Sequence, residues 1–195
     1  MRKTYFSSVR CVLVLAAVRI GVIGGGRVGT ALAATWQARG HDVVVSTRDT
    51  VAEAAAGRDV VVLALPAAAV ESALADASLA EGQIVVDATN NLSGGPSGTE
   101  IASFAPSARF VKAFNTVFST FMHDTPPSPP ATLVYCGDDA DAKAIAAQLI
   151  VDAGFEPIDA GGADATPLVE AFAKLVIGIA YRQGRGPFVY RFESR

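Results

Sequence analysis

The feature that most constrains the fold is a glycine-rich turn, G-x-G-x-x-G, between an apolar run and an amphipathic helix. Its residues are Gly24, Gly25, Gly26, Arg27, Val28 and Gly29. The pattern is weak alone, but between a strand and a helix it is typical of a dinucleotide-binding site. The first glycine permits a tight turn, the second lets the backbone approach a pyrophosphate, and the third allows close packing of helix on strand. The start of the helix also offers N–H groups and partial positive charge to phosphates.

Short valine-rich runs alternate with alanine-rich stretches along the rest of the chain. Runs that are apolar throughout indicate strands buried on both faces, and their alternation with helices predicts a doubly wound sheet. We therefore predict an α/β, Rossmann-type, mostly parallel fold that forms one domain over residues 19–195. The predicted strands are Arg19–Ile23, Asp42–Ser46, Val60–Ala64, Gln83–Ala88, Arg109–Phe114, Thr132–Cys136 and Glu156–Asp159. The predicted helices are Arg27–Arg39, Val51–Ala56, Ala67–Leu79, Thr99–Phe104, Ala140–Ala153 and a C-terminal helix, Thr166–Gln183.

The composition is that of a folded domain and excludes several classes of protein. The chain has 195 residues, of which 51% are hydrophobic and 18% charged, which is enough for one core and too apolar for a disordered chain. A net charge of −3 gives no electrostatic reason to expect nucleic acid. Cys11 and Cys136, with His41 and His123, are too few for a zinc site or a disulfide framework. We expect no metal and a reducing, cytoplasmic location.

Residues 1–18 precede the first predicted strand and have two interpretations. Arg2 and Lys3 come before a short apolar run, Cys11–Val18, which resembles a signal peptide. That run is far too short to span a membrane, and cleavage beside it would leave no room before the strand that starts at Arg19. We favour the other interpretation, an upstream extension outside the fold, such as a misassigned start, and expect no membrane partner.

The end of the second predicted strand indicates which dinucleotide would bind. Sites selective for NAD carry an acidic residue about 20 residues beyond the glycines, where it holds the ribose 2′-hydroxyl. Here the strand ends in Ser46, Thr47 and Arg48, and the first acid is Asp49. Thr47 can donate to a 2′-phosphate, and Arg48 can pair with its charge and stack on adenine. This favours NADP; a solvated surface arginine is the alternative.

Two further strand ends carry candidate contacts. Leu65 and Pro66 follow the third strand, where the loop should pass the nicotinamide ribose, although the proline could simply start the next helix. The run Asp87–Asn91, which includes Ala88, leaves the fourth strand with polar side chains that could instead form a turn. Two further segments are loops. Both could be simple connections, and these are Ser93–Gly98 and Pro126–Pro130. The alternative for the first is a loop that lies over a ligand.

The run Phe110–Thr116 is the most distinctive segment after the glycines. It ends in Asn115 and Thr116, which would place amide and hydroxyl groups at the carboxyl edge of the sheet, near a nicotinamide carboxamide. Ala113 would contact the cofactor there. Lys112 is either an outward-facing strand charge or a ligand contact.

Together these segments resemble the coenzyme F-420-dependent NADP oxidoreductase family. The resemblance covers nearly everything after Val18. The glycine motif is shared by many families, whereas the Lys-Ala-Phe-Asn-Thr run and the C-terminal helix are more specific. The segments that carry it are Ile20–Gly26, Thr47–Arg48, Val60–Pro66, Val111–Thr116, Phe155–Gly161 and Ala180–Gly184.

The resemblance implies hydride exchange between NADP(H) and a deazaflavin coenzyme of the F-420 type, the small redox co-substrate. Such a transfer needs no side-chain acid or base at the reacting carbon, so no catalytic residue is expected. The resemblance also implies a homodimer with the C-terminal helix near the contact; packing of that helix on its own sheet is the alternative. The expected cofactor-binding residues are Gly24, Gly25, Gly26, Arg27, Val28, Gly29, Thr47, Arg48, Leu65, Pro66, Ala88, Ala113 and Asn115.

One segment departs from the pattern of the family. In that pattern a helix and a further strand lie between the arginine that ends the second strand, here Arg48, and the strand that corresponds to Val60–Ala64. Only Asp49–Asp59 lies there in this chain, enough for one short helix. We therefore predict that an outer strand is missing, so that the strand Asp42–Ser46 becomes a sheet edge. Two other functions stay open: an NADPH reductase of another flavin, quinone or imine, and a non-catalytic NADP-binding regulatory domain.

Overall fold

The structure, a computed structural model, describes residues 17–92, 94–123 and 127–193. The predictions for residues 1–16, for Ser93 and for Pro126 lie outside these ranges. The strands are β1 (Arg19–Ile23), β2 (Asp42–Ser46), β3 (Val60–Leu63), β4 (Ile84–Asp87), β5 (Arg109–Lys112), β6 (Thr132–Gly137) and β7 (Glu156–Asp159). The α-helices are α1 (Arg27–Ala38), α2 (Val51–Ala55), α3 (Val70–Ala77), α4 (Gly98–Ser103), α5 (Ala140–Asp152) and α6 (Thr166–Ile177).

The strands form one sheet in the order β2-β1-β3-β4-β5-β6-β7. Every neighbouring pair is parallel except β5 with β6, which is antiparallel. Between β5 and β6 the structure describes only a short 3₁₀ turn, Ser119–Phe121, and no crossover helix. A strand reached without a crossover returns antiparallel to its neighbour. The predicted Rossmann-type, mostly parallel α/β fold is therefore confirmed.

Strand β2 is an edge of this sheet, so the predicted loss of an outer strand is also confirmed. The chain passes from β2 to β3 through one 3₁₀ turn and the five-residue helix α2. An edge strand has backbone groups without strand partners and needs protection. Part of that protection comes from Gln37 on α1, whose amide donates to the carbonyl oxygen of Val43 at 3.1 Å.

Apolar side chains cover both faces of the sheet and form two clusters. On one face, Trp36 and Leu32 of α1 pack with Leu149 and Ile150 of α5 against the strands. The Trp36 indole N–H donates to the carbonyl oxygen of Leu149 at 2.9 Å, which satisfies its buried polar atom. On the other face, helices α2, α3 and α4 cover β1, β3 and β4. Two covered faces explain why the strands read as continuous apolar runs.

Several predicted elements end earlier than the sequence suggests, and two of these differences lie beside the candidate site. Strand β5 stops at Lys112 rather than Phe114, and Phe114 has φ +62°, a left-handed conformation that no strand contains. Helix α6 ends at Ile177 rather than Gln183 and continues as a π-helical turn, Gly178–Arg182. The turn closes with a bond from the Gln183 N–H to the Gly178 carbonyl at 3.2 Å, five residues apart.

Candidate functional site

The glycine turn follows β1 at the carboxyl edge of the sheet and is closely packed. Gly24 has φ +117°, and a Cβ atom there would collide with the carbonyl oxygen of Ala64, which follows β3. A Cβ at Gly29 would collide with the carbonyl oxygen of Gly24, and so would force α1 away from the turn. Glycine is therefore required at both positions, for the conformational and packing reasons that the sequence predicts.

The start of α1 leaves space and charge for an anion. Gly26 is its N-cap, no side chain caps the helix, and its first turn has no acidic residue. A Cβ at Gly26 would meet nothing within 4 Å, so the space in front of the helix is open. Arg27, the first helical residue, is exposed beside it. Open N–H groups, a helix dipole and an arginine are the features with which proteins bind phosphates.

The end of β2 lies beside the glycine turn. A Cβ at Gly25 would stand 3.8 Å from the carbonyl oxygen of Ser46, the last residue of that strand. Thr47 follows, and its N–H donates to the hydroxyl of Thr50 at 2.9 Å; the two hydroxyls are also 2.9 Å apart. Arg48 is exposed. Thr50 fixes the Thr47 side chain, which sequence reasoning missed.

The remaining predicted contacts divide into surface and core positions. Leu65 is half-buried and Pro66 is exposed at the start of a 3₁₀ turn, beyond the end of β3. Ala88 is 7% exposed after β4. Ala113 is 0% exposed and packs in the core.

A cavity of about 180 Å³, here called the inner cavity, joins the glycine helix to the end of β5. Val28 of α1 borders it on one side and Asn115 on another. Asn115 is 2% exposed, and within the described ranges its Oδ1 atom has no hydrogen-bond partner. The other lining residues are Asn90, Leu92, Thr116, Val117, Phe118, Ser119, Val176, Ile177 and Tyr181.

Two neighbours hold Asn115 and Thr116 in place. The Asn90 amide donates to the Asn115 carbonyl oxygen at 2.9 Å. The Tyr190 hydroxyl, on the tail that follows the π-helical turn, donates to the Thr116 hydroxyl at 2.7 Å. Burial raises the pKa of Tyr190 to about 12, so this phenol stays a neutral donor across the physiological range.

A second cavity of about 520 Å³, the outer cavity, adjoins the first and shares Leu92, Ile177 and Tyr181 with it. Asn91, Lys174 and Arg182 complete its lining. Asn91 also donates to the Gly95 carbonyl oxygen at 2.5 Å, and a Cβ at Gly95 would stand 2.9 Å from the Ala68 nitrogen. The loop after β4 therefore packs on the turn that follows β3, beside both cavities.

Lys112 does not face outward from its strand, which is one of the two roles that the sequence suggests. It is 4% exposed, and its ammonium donates to Asp87 Oδ2 and the Thr89 carbonyl oxygen, both at 2.8 Å. Glu170 Oε1 of α6 lies 3.2 Å away and also accepts from the Gly98 N–H at 2.7 Å. Lys112 is thus the centre of a buried ion cluster that ties β5, β4 and α6 together, rather than an outward-facing strand charge.

The residues present fit a dinucleotide. The glycine turn is a cradle that a Cβ would fill, the start of α1 is open, and a buried amide oxygen without a partner borders the cavity beyond it. A pyrophosphate needs the first two features, and a carboxamide needs hydrogen-bond groups of the third kind.

Comparison with known proteins supports the same conclusion. The model of the family described as NADP oxidoreductase, coenzyme F-420-dependent, matches residues 19–51 and 47–91. A crystal structure of a candidate F-420-dependent NADP reductase from Arthrobacter superposes with a TM-score of 0.81 and 26% identity, over 91% of this chain and 100% of that chain. A reductive aminase from Aspergillus terreus, solved with NADPH, has a TM-score of 0.66 at 19% identity over 87% of this chain and 64% of its own, and so shows the fold alone.

A curated relative, metalloreductase STEAP3 of Rattus norvegicus, is 27% identical over 176 residues. The match covers 80% of this chain but only 36% of that protein, so this chain spans about a third of the relative's length. None of the helices within the described ranges is long and apolar enough to cross a bilayer. The predicted resemblance is confirmed: this chain is similar to the coenzyme F-420-dependent NADP oxidoreductase family over residues 19–91, and to the Arthrobacter structure over 91% of its length.

Proposed function

We propose that this chain transfers a hydride between NADP(H) and a deazaflavin coenzyme of the F-420 type. The observation that carries the proposal is that one cavity touches both Val28, in the helix that opens at the glycine turn, and Asn115, whose amide oxygen has no hydrogen-bond partner among the described residues. A nicotinamide at that position would be reached from the outer cavity, which leaves room for a second ring. The family description and the Arthrobacter neighbour support the choice of acceptor.

The pyrophosphate of NADP(H) would bind at the start of α1. Gly24 and Gly29 hold the turn against the sheet, and Gly26 leaves the approach open. The N–H groups of Val28 and Gly29 point out of the uncapped helix end, and Arg27 adds a full positive charge. These groups favour two adjacent phosphates in the way that helix termini favour anions generally.

The residues after β2 would bind the 2′-phosphate on the adenosine of NADP and so select NADP over NAD. Thr47 and Arg48 follow β2 beside the glycine turn, and the first acidic residue, Asp49, lies beyond them in a 3₁₀ turn. Thr47 offers a hydroxyl held by Thr50, and the exposed Arg48 offers a guanidinium that pairs bidentately with phosphate. An acid that would bind the 2′-hydroxyl of NAD is missing from this tip, which supports NADP over NAD.

The nicotinamide end would bind in the inner cavity. Asn115 would pair its free oxygen with the amide of the nicotinamide, while Asn90 fixes the adjacent backbone. Val28, Ile177 and Tyr181 give this space apolar walls. The cofactor, when bound, supplies the hydride, so the side chains need only orient two rings and keep the site dry.

We further propose a homodimer in the cytoplasm. Two large apolar side chains of α6, Leu168 and Leu175, are 74% and 58% exposed on this single chain. The resemblance implies a subunit contact near this helix. Sedimentation at micromolar concentration tests the dimer, and a monomer would contradict it.

The reaction is tested by following NADPH oxidation at 340 nm with the deazaflavin coenzyme, FMN and FAD as separate acceptors. We expect turnover with the deazaflavin at least about tenfold faster in kcat/KM than with either flavin, a difference of about 1.4 kcal/mol in transition-state free energy. Asn115→Ala should lower kcat for every acceptor while leaving the Kd for NADP⁺ within about threefold. NADPH binding without turnover on any acceptor would instead support a non-catalytic NADP-binding domain.

A further inference from the structure

The outer cavity has a charge pattern that the hydride transfer itself does not use. Its lining includes two cations, Lys174 and Arg182, and no carboxylate. Over the part of the chain that the structure describes, neither cation forms an ion pair, although eight such pairs occur elsewhere. Since the whole chain carries a net charge of −3, two unpaired cations at one cavity are a local feature.

The π-helical turn explains why both cations reach the same cavity. Arg182 follows Lys174 by eight residues, which in a continuous α-helix would separate them by about 80° around the axis. The π-helical turn Gly178–Arg182 accommodates an extra residue and carries Arg182 back by about 100°. The two side chains therefore project on nearly the same side. Turns of this kind occur frequently at functional sites.

The Arg182 side chain is also positioned by the residue beneath it. A Cβ at Gly178 would lie 2.7 Å from Arg182 Nη2 and 3.2 Å from Nε, so the guanidinium packs directly over this glycine. Gly178 itself is buried. Glycine at this position therefore leaves space on the helix surface for the guanidinium. A guanidinium held in this way binds an oxyanion with less loss of side-chain entropy than a free one.

The apolar residues that line the outer cavity indicate that the rest of the ligand is apolar. Leu92, Ile177 and Tyr181 border both cavities, so a planar ring that lies between them reaches toward Asn115 from the side of the cations. We propose that Lys174 and Arg182 bind a phosphate or carboxylate group on the hydride acceptor, and so select acceptors that carry a ring at one end and an anion at the other. This proposal rests on the proposed function, because it takes the outer cavity as the entrance for the acceptor.

The test compares deaza-FMN, which has a phosphate, with deazariboflavin, which has a hydroxyl in its place. Fluorescence titration in the presence of saturating NADP⁺ gives the Kd of each with the wild type, with Lys174→Ala/Arg182→Ala, and with the control Lys143→Ala/Arg185→Ala. The control removes the same charge outside the cavity, since Lys143 pairs with Asp159 and Arg185 lies over Phe188.

The wild type and the control should bind the phosphate-bearing compound at least about tenfold more tightly, and the cavity variant should bind both compounds equally. The affinity of the cavity variant for deazariboflavin should stay within about twofold of the wild type. The anion site would be overturned if the wild type bound both compounds with equal affinity, or if the cavity variant lost affinity for both to the same extent. In either case, hydride transfer to one of the compounds would still support the proposed function. Failure of both compounds to bind would overturn the anion site and the acceptor entrance together.

Discussion

Replacement of Lys112 by methionine tests whether the buried ion cluster holds the site together. The substitution keeps the length of the side chain but leaves Asp87 and Glu170 without their shared cation, with side chains only 3% and 9% exposed. Removal of one partner from a buried ion pair costs about 3–5 kcal/mol, because an uncompensated charge stays buried. For a chain of this size that loss lowers the melting temperature by about 6–20 °C.

Urea unfolding at pH 7 measures this loss, and Lys143→Met is the matched control. Lys143 pairs with Asp159 at 2.8 Å near the surface, so its loss should cost about 1 kcal/mol or less. A Lys112→Met variant that unfolds within about 1 kcal/mol of the wild type would refute the cluster as a stabilising element.

Two further substitutions test the turn and the tail. Gly29→Ala should weaken NADPH binding and lower the free energy of unfolding by about 1–3 kcal/mol through overpacking. Gly26→Ala should change the free energy of unfolding by less than about 1 kcal/mol and should also weaken NADPH binding. Thermal unfolding and calorimetric titration with NADPH measure the two effects separately, and unchanged NADPH binding by Gly26→Ala would contradict the phosphate site. Because the folded pKa of Tyr190 is raised from 10 to about 12, folding favours the neutral phenol, so about 2–3 kcal/mol of stability is present below pH 10 and lost as the pH rises to 12. Chemical unfolding at pH 9 and 12 should show that loss in the wild type but not in Tyr190→Phe, and the same loss in both would refute it.

Local spacing was enough to predict the glycine turn. Gly29 meets Gly24 and Val22 within a single strand-turn-helix unit, so its role follows from positions seven residues apart or fewer, whereas the close approach of Gly24 to Ala64 joins the turn to β3. The edge position of β2 was predictable for a similar reason, because the short segment after it cannot contain another strand and a crossover.

The ion cluster and the π-helical turn could not be predicted in this way. Lys112 reaches Asp87, 25 residues earlier, and Glu170 on the last helix, and each residue alone is an ordinary charge in the sequence. The π-helical turn at Gly178 carries no periodic pattern, since the apolar stripe of α6 reads equally well as a longer α-helix. The end of β5 at Lys112 lies two residues from its predicted place, within the usual uncertainty of such boundaries.

The central claim is that an NADP site lies at the end of β2. The most direct test is to measure the Kd for NADPH and for NADH, with the wild type and with Thr47→Ala/Arg48→Ala. Arg39→Ala, an exposed arginine at the other end of α1, is the control. We predict that the wild type binds NADPH at least about tenfold more tightly than NADH, and that the double variant loses this preference through weaker NADPH binding alone. Equal losses for NADPH and NADH would contradict the assignment.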